Sequence, residues 1–369
     1  MKKKQLAVAV AGALATLVSV PALAQVTMSG NIDVSQTTMH VDNVKTSNFT
    51  SGIASTSKLI IQGTEDLGGG LKARFYTETG LGATTQRATG YNSTVAGTRD
   101  VTTEKDSTMI GDRGIYVGVM GSFGSLDMGR IPHITTGAAI GMGGVQNAFL
   151  SAVNAGAAHA GNNSDAVFTS QTEGRGNNSI LYTTPNMNGF TGKVMHSLGG
   201  GLGDGSQGNR TSFSANFNKD AFTIEVMNSR RSAYDAGTQD LTGNTPAQTQ
   251  GNAVYNAGSK ISESGLGLKY DMKVAVFGVG YARQASTTAA GAVTTQKASG
   301  LGVTVPFGSW ALSLGSASTS PATTASYSAY SMSAQYSLSK RTTGYFGTRR
   351  NNQASGKDGL NFFGVNHTF

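Results

Sequence analysis

Cysteine is absent from the 369 residues, proline occurs only six times, tryptophan once, and charged residues make up just 13%. Without cysteine there is no disulfide framework, no thiolate metal site, no iron–sulfur cluster and no cysteine nucleophile. Long apolar runs are equally scarce. A membrane-spanning helix needs ~20 apolar residues, and beyond residue 24 no such run exists, so a helical membrane protein is excluded. The five histidines, at 40, 133, 159, 196 and 367, are too scattered for a local metal pair, and no G-x-S-x-G elbow accompanies them. Basic residues outnumber acidic ones by eight without forming a tract, which argues against nucleic acid as a partner.

What is abundant is glycine, 51 residues, about twice its usual ~7% share. The one long apolar stretch lies at the start: Lys2, Lys3 and Lys4, then residues 6–20, then Pro21-Ala22-Leu23-Ala24. It reads as an export signal over residues 1–24, cleaved after Ala24. The domain that remains, 25–369, loses three lysines and carries a formal charge of +5.

Within 25–369 hydrophobicity repeats every second residue. Phe222, Ile224 and Val226 share one face, Thr223 and Glu225 the other; Trp310, Leu312 and Leu314 alternate with Ala311, Ser313 and Gly315. That pattern predicts strands near 26–39, 57–66, 71–80, 112–121, 124–132, 177–185, 190–198, 210–218, 221–231, 262–270, 274–285, 296–307, 310–318, 326–338, 342–350 and 359–369, sixteen in all. Period two alone also suits a soluble sandwich. The connections decide, because tight Gly/Asn/Asp turns alternate with long polar loops at 40–56, 81–111, 133–176, 199–209, 232–261, 286–295, 319–325 and 351–358. Short turns at one end and long loops at the other characterise an outer-membrane barrel. The prediction is therefore all-β: a sixteen-stranded antiparallel transmembrane barrel with extracellular loops, an apolar face toward lipid and a Ser/Thr/Asn/Gly face toward a wet lumen.

Several runs then resemble a known family. They are Gly63-Thr64-Glu65-Asp66-Leu67-Gly68-Gly69-Gly70-Leu71-Lys72-Ala73, Tyr116-Val117-Gly118, Phe123-Gly124-Ser125-Leu126-Asp127-Met128-Gly129-Arg130, and Asn178-Ser179-Ile180-Leu181-Tyr182-Thr183-Thr184-Pro185 with Gly189-Phe190. With the terminal Phe369 they resemble the trimeric general porins of Gram-negative bacteria, closest to the β-proteobacterial, neisserial-type branch. The resemblance implies a homotrimer in the outer membrane and a third extracellular loop folded into the lumen. It also implies a basic cluster on the wall facing that loop. Lys58 and Arg130 stand where such porins carry arginines, and alternation puts Lys72, Arg74 and Glu78 on the inner face of the third strand. The third loop holds two acids, Asp165 and Glu173. Many relatives carry an arginine near positions 181–183 and more carboxylates on this loop, and this sequence has neither. Positive wall and sparsely acidic loop together predict a preference for anions.

Plainer roles stand beside these. Lysines and arginines near barrel rims also snorkel to headgroups, and Arg113, Arg175, Arg349 and Arg350, at strand tops or loops, are expected to meet solvent or lipopolysaccharide. Gly203-Asp204-Gly205-Ser206-Gln207-Gly208 spells a nucleotide fingerprint but precedes a strand instead of opening a helix, which makes it a loop. The functional expectation is a passive channel for ions and small hydrophilic solutes, with neither catalysis nor cofactor. A channel selective for small organic acids and a structural or adhesive surface barrel are the alternatives. Phe369 is expected to be the signal read by the barrel-assembly machinery, with outer-membrane lipid and lipopolysaccharide as surroundings.

Overall fold

The computed structural model describes residues 25–41, 44–82, 110–134, 175–198, 209–232, 260–320, 327–353 and 356–369. The export segment 1–24 and most of the third loop, including Asp165 and Glu173, lie outside these residues.

Seventeen strand segments run antiparallel: β1 (Gln25–Val41), β2 (Val44–Ser51), β3 (Lys58–Gly68), β4 (Leu71–Gly80), β5 (Gly114–Gly121), β6 (Gly124–Pro132), β7 (Arg175–Thr183), β8 (Phe190–Ser197) and β9 (Arg210–Lys219); then β10 (Phe222–Arg231), β11 (Lys260–Asp271), β12 (Val276–Thr287), β13 (Val293–Phe307), β14 (Trp310–Ser320), β15 (Tyr327–Ser337), β16 (Thr342–Gln353) and β17 (Gly356–Thr368). Each pairs with its sequence neighbour, and β17 pairs back onto β1 from Asn31↔Thr368 to Val41↔Asp358, so the sheet closes. Closure removes the two open edges of the sheet within the apolar band, which a hydrocarbon environment demands.

The wall has sixteen strand positions because β2 and β3 share one. The lower half of β1, Gln25–Asn31, pairs with β3, and its upper half, Val34–Val41, pairs with β2. Residues 40–56, expected as a loop, are thus largely strand. The alternation was hidden because β2 (VKTSNFTS) rises above the apolar band, where water replaces lipid and neither face is selected for hydrophobicity. Between β2 and β3 the chain leaves the wall and folds inward. Ile53 packs against Tyr345, Leu360 and Phe362, while the Asp33 carboxylate accepts hydrogen bonds from the backbone N–H of Ile53 (3.2 Å) and Ser55 (3.1 Å), Tyr345 Oη (2.6 Å) and Asn366 Nδ2 (3.2 Å). The loop predicted over 286–295 also shrinks, since β12 and β13 pair as far as Thr287↔Val293.

The burial pattern is that of a soluble protein turned inside out. Leu314 is 52% exposed while the adjacent Ser313 is 3% exposed. Val226, Leu268, Val279, Leu301, Met332 and Phe363 likewise face outward, while Ser35, Ser179, Ser212, Ser229 and Ser333 are buried on the inner face. At the short-turn end, cross-strand aromatic pairs ring the outer surface: Phe190–Phe217 at 4.7 Å, Phe222–Tyr270 at 4.5 Å and Trp310–Tyr336 at 4.8 Å between ring centroids. Such girdles mark a membrane interface, where an amphipathic ring has one apolar and one wet side. The terminal strand ends beside β1, with Gly30 and Phe369 exchanging backbone hydrogen bonds of 3.0 Å in both directions. A Cβ at Gly30 would lie 2.7 Å from the Phe369 ring, so only glycine admits the ring there.

Candidate functional site

Three groups of interacting charged side chains on the inner wall are considered among the described residues, and cross-strand register determines which side chains meet. The first surrounds Glu78, near the long-loop end of β4. Glu78 is buried, and its carboxylate accepts hydrogen bonds from Arg113 Nε (2.6 Å) and Tyr76 Oη (2.5 Å). Lys58 Nζ stands 4.0 Å away and Arg175 Nη2 3.9 Å away. Register explains this convergence: Lys58 sits opposite Gly80, two residues beyond Glu78, and Gly114, next to Arg113, sits opposite Glu78 itself. The short segment before β5 holds the rest in place. Arg113 donates its backbone N–H to the Glu78 carbonyl at 3.1 Å, the carbonyl of Asp112 accepts from Arg130 Nε at 2.9 Å, and the carbonyl of Arg113 accepts from Arg175 Nε. The Asp112 carboxylate is engaged with the backbone N–H of Gly80 at 2.8 Å. Side-chain exposure of 30% for Lys58, 26% for Arg113 and 17% for Arg175 leaves all three in contact with the water-accessible interior. Four cations against two carboxylates give this patch a net charge of +2.

The second group is self-neutralising. Arg74 forms a two-pronged pair with Asp127, Nε to Oδ1 at 2.7 Å and Nη2 to Oδ2, and adds Nη2 to Ser125 Oγ at 3.1 Å. Its guanidinium lies 5.8 Å from the centroid of Tyr116, whose ring stacks on Tyr76 at 5.0 Å. A bidentate arginine–carboxylate pair fixes both geometry and charge. Arg74 therefore faces the lumen, as alternation predicts, with its charge matched by Asp127.

The third group lies on the β9–β11 wall. Buried Arg210 bonds Glu263 through Nη2 (2.5 Å) and Ser229 through Nε (2.7 Å), and Gln284 Nε2 completes the Glu263 carboxylate at 3.0 Å. Arg231, also buried, is in register with Arg210. The root of the third loop reaches this wall. His133 Nε2 is 3.0 Å from Ser212 Oγ, although β7 and β8 lie between β6 and β9 in the sheet, so the chain turns inward as it leaves β6. Burial, reinforced by the nearby Arg210 charge, holds the His133 imidazole well below its ordinary pKa.

Register thus brings Lys58 and Glu78 together with Arg113 and Arg175, the last two expected at solvent or lipopolysaccharide. Arg130 sits beside this patch at the strand tops, hydrogen-bonded to the Asp112 carbonyl and to Asn177. Gly129 precedes it with φ +143° at a bulge, and a Cβ there would be 2.3 Å from the Ile115 carbonyl, so the re-aiming of Arg130 depends on glycine. Lys72 is not brought in: it shares the inner face but lies six residues toward the short turns, about 20 Å along the strand. Arg349, expected at solvent, is buried on the inner face, whereas Arg350 points out. Parity would have found Arg349, Arg210 and Arg231, since each lies on the inner row of its strand, Arg210 in line with Ser212 and Ser214. Nothing local marks Arg113, whose role depends on a strand 35 residues away.

These features are matched among known proteins. A family model for Gram-negative porins matches residues 7–355. Outer membrane porin protein 32 of Delftia acidovorans is 32% identical over 201 residues, covering 52% of this chain and 48% of that protein, so the match spans about half the length of this curated relative. In three dimensions the anion-selective porin from Comamonas acidovorans superposes with a TM-score of 0.69 at 20% identity, over 94% of this chain and all (100%) of that one. OmpT of Vibrio cholerae in its trimer form gives 0.61 at 11% identity, over 94% of this chain and 99% of that one. A closed barrel with an apolar exterior, aromatic girdle and charged wet interior, matched by that family model over most of its length, places the chain in the bacterial outer membrane as a member of the Gram-negative porin family.

Proposed function

We propose that the barrel is a passive diffusion channel for ions and small hydrophilic solutes that prefers anions. The supporting observation is the patch of net charge +2 on the inner wall, where Lys58, Arg113 and Arg175 converge on Glu78 with Arg130 and Asp112 alongside. In a narrow lumen bounded by low-dielectric walls, fixed positive charge raises the local concentration of anions and lowers that of cations. Neither a nucleophile–base pair nor a shaped polar cluster for a single solute is needed for this, so pore radius and field alone set the selectivity.

In the same reading the chain turns into the lumen as it leaves β6, with His133 against Ser212, and the acids Asp165 and Glu173 of the third loop lie outside the described residues. The anion-selective Comamonas porin and the trimer form of OmpT support an anion preference and a three-barrel assembly for this chain. Residues 1–24 serve as the cleaved export signal, so the mature protein has the mass of a chain starting at Gln25. Phe369, held at the closing seam, is the residue recognised during barrel assembly.

Single-channel recording of the refolded protein in a planar bilayer tests the proposal. Conductance closing in three equal steps, with a zero-current potential displaced toward chloride across a potassium chloride gradient, is the expected result. Stable insertion without conductance, or a potential displaced toward potassium, overturns it.

A further inference from the structure

Three carboxylates of the inner wall are each neutralised by an arginine: Glu78 by Arg113 at 2.6 Å, Asp127 by the two-pronged Arg74, and Glu263 by Arg210 at 2.5 Å. Asp33 on β1 is handled differently. The donors to its carboxylate, the backbone N–H groups of Ile53 and Ser55, Tyr345 Oη and Asn366 Nδ2, are all neutral, and the residue is 0% exposed. By parity it belongs to the lumen face, in one row with the buried Asn31 and Ser35 and in register with Asn366. What separates it from lumen water is the stretch 52–57, which leaves the wall after β2 and rejoins it at Lys58.

That stretch is fastened down at several points. Ile53 is buried against Tyr345, Leu360 and Phe362 of β16 and β17, the Thr56 carbonyl accepts from Asn31 Nδ2 at 3.0 Å, and Ser57 Oγ accepts from the Asp33 backbone N–H at 2.9 Å. Two of the four donors on the carboxylate belong to it, so lifting it would uncover the acid and strip half of those hydrogen bonds together. The position matters because Asn31 is the partner of Lys58, which makes Asp33 a diagonal neighbour of Lys58 about 7–8 Å away. An uncovered Asp33 would join the patch around Glu78 and lower its net charge from +2 to +1.

We infer that residues 52–57 form a fixed cover that keeps permeating cations out of contact with Asp33, which makes Ile53 and Asp33 determinants of ion selectivity although neither touches a passing ion. The inference rests on the anion-preferring channel proposed above. One layer of backbone is about 5 Å thick, so a cation kept roughly 8 Å from the carboxylate by the cover would approach to about 4 Å without it. At 0.1 M salt that gain in attraction, with the matching repulsion of chloride, reads as about a fourfold fall in the chloride-to-potassium permeability ratio.

Two readouts on the refolded barrel test this, with folding of each variant checked by heat-modifiable mobility. The first is carbodiimide-coupled labelling of carboxylates with glycinamide, located by mass spectrometry. Asp33 is expected to stay unlabelled in wild type and to be labelled in Ile53→Gln and in the milder Ile53→Ala. The second is the zero-current potential across a potassium chloride gradient with the dilute side at about 0.1 M. The permeability ratio is expected to fall about fourfold in Ile53→Gln, and adding Asp33→Asn is expected to bring it back to wild type or above. Asp33→Asn alone is expected to move the ratio less than it does in that background, because the covered acid is already out of contact. Labelling of Asp33 in wild type, or its protection in both Ile53 variants, would overturn the cover. An equal effect of Asp33→Asn in both backgrounds, or a ratio that stays low in Ile53→Gln/Asp33→Asn, would mean that the stretch only shapes the pore, and would overturn the charge argument. A wild-type barrel that is silent or prefers potassium, with Asp33 protected there and labelled in the variants, would refute the channel reading and leave the cover standing.

Discussion

Replacing Lys58 and Arg175 by glutamine removes two of the four cations near Glu78 and leaves Arg113 and Arg130 to balance Glu78 and Asp112, so the local net charge falls from +2 to zero. The effect on a passing ion follows from Coulomb's law. At about 7 Å in water each removed charge is worth roughly 0.6 kcal/mol, and screening at 0.1 M halves it, giving about 0.6 kcal/mol for the two together. Anions lose that stabilisation and cations gain it, so the chloride-to-potassium permeability ratio is expected to fall about sevenfold. Partial exclusion of bulk water would enlarge the change, which makes this a lower bound. The assay is the zero-current potential of the double variant across a potassium chloride gradient, run once with the dilute side at 0.1 M and once with both sides near 1 M. At 1 M the Debye length shrinks to about 3 Å and the difference from wild type should largely vanish. A variant with wild-type conductance and an unmoved potential at 0.1 M would refute the reasoning that this patch sets selectivity.

Glu78→Gln is expected to shift the potential further toward chloride and to lower thermal stability by about 1–3 kcal/mol, because three cations then converge without their carboxylate; an unchanged potential would count against the patch. Tyr345→Phe removes the 2.6 Å hydrogen bond to buried Asp33 and should cost about 1–2 kcal/mol, read as earlier loss of heat-resistant mobility in gels, with conductance retained. Gly129→Ala places a Cβ 2.3 Å from the Ile115 carbonyl at φ +143°, so a loss of about 1–3 kcal/mol and a displaced Arg130 are expected, measured by thermal melting and reversal potential. His133 is held neutral in the folded state, with its pKa below the unfolded value of 6.5. Its contribution to stability is therefore full above pH 6.5 and lost as pH falls below it, since only the unfolded chain then takes up the proton. Melting between pH 7 and 5 should show this loss, and His133→Asn should flatten the profile; equal slopes in both proteins would contradict it.

Much of this protein is legible along the chain. Alternation placed β4, β6 and β9 to within a residue or two, because in a barrel each strand has lipid on one side and water on the other, and that contrast is written at every second position. Where the contrast ends, so does legibility: β2 stands above the lipid and looks like a loop. The inner-face assignment of Arg74 and Glu78 followed from the same parity.

Which charges meet on that inner face was decided only by tertiary structure. Arg74 finds Asp127 across 53 residues, and Arg113 finds Glu78 across 35, through strand register and the bends at the strand tops. Parity assigns a side chain to a face but carries no information about the neighbour it meets there. A two-residue change in stagger, or the bulge at Gly129, redirects a guanidinium from one carboxylate to another while leaving each side chain on its face. The barrel is thus specified by local contrast between lipid and water, and its electrostatics by the register between paired strands, which sets which side chains meet on the inner face.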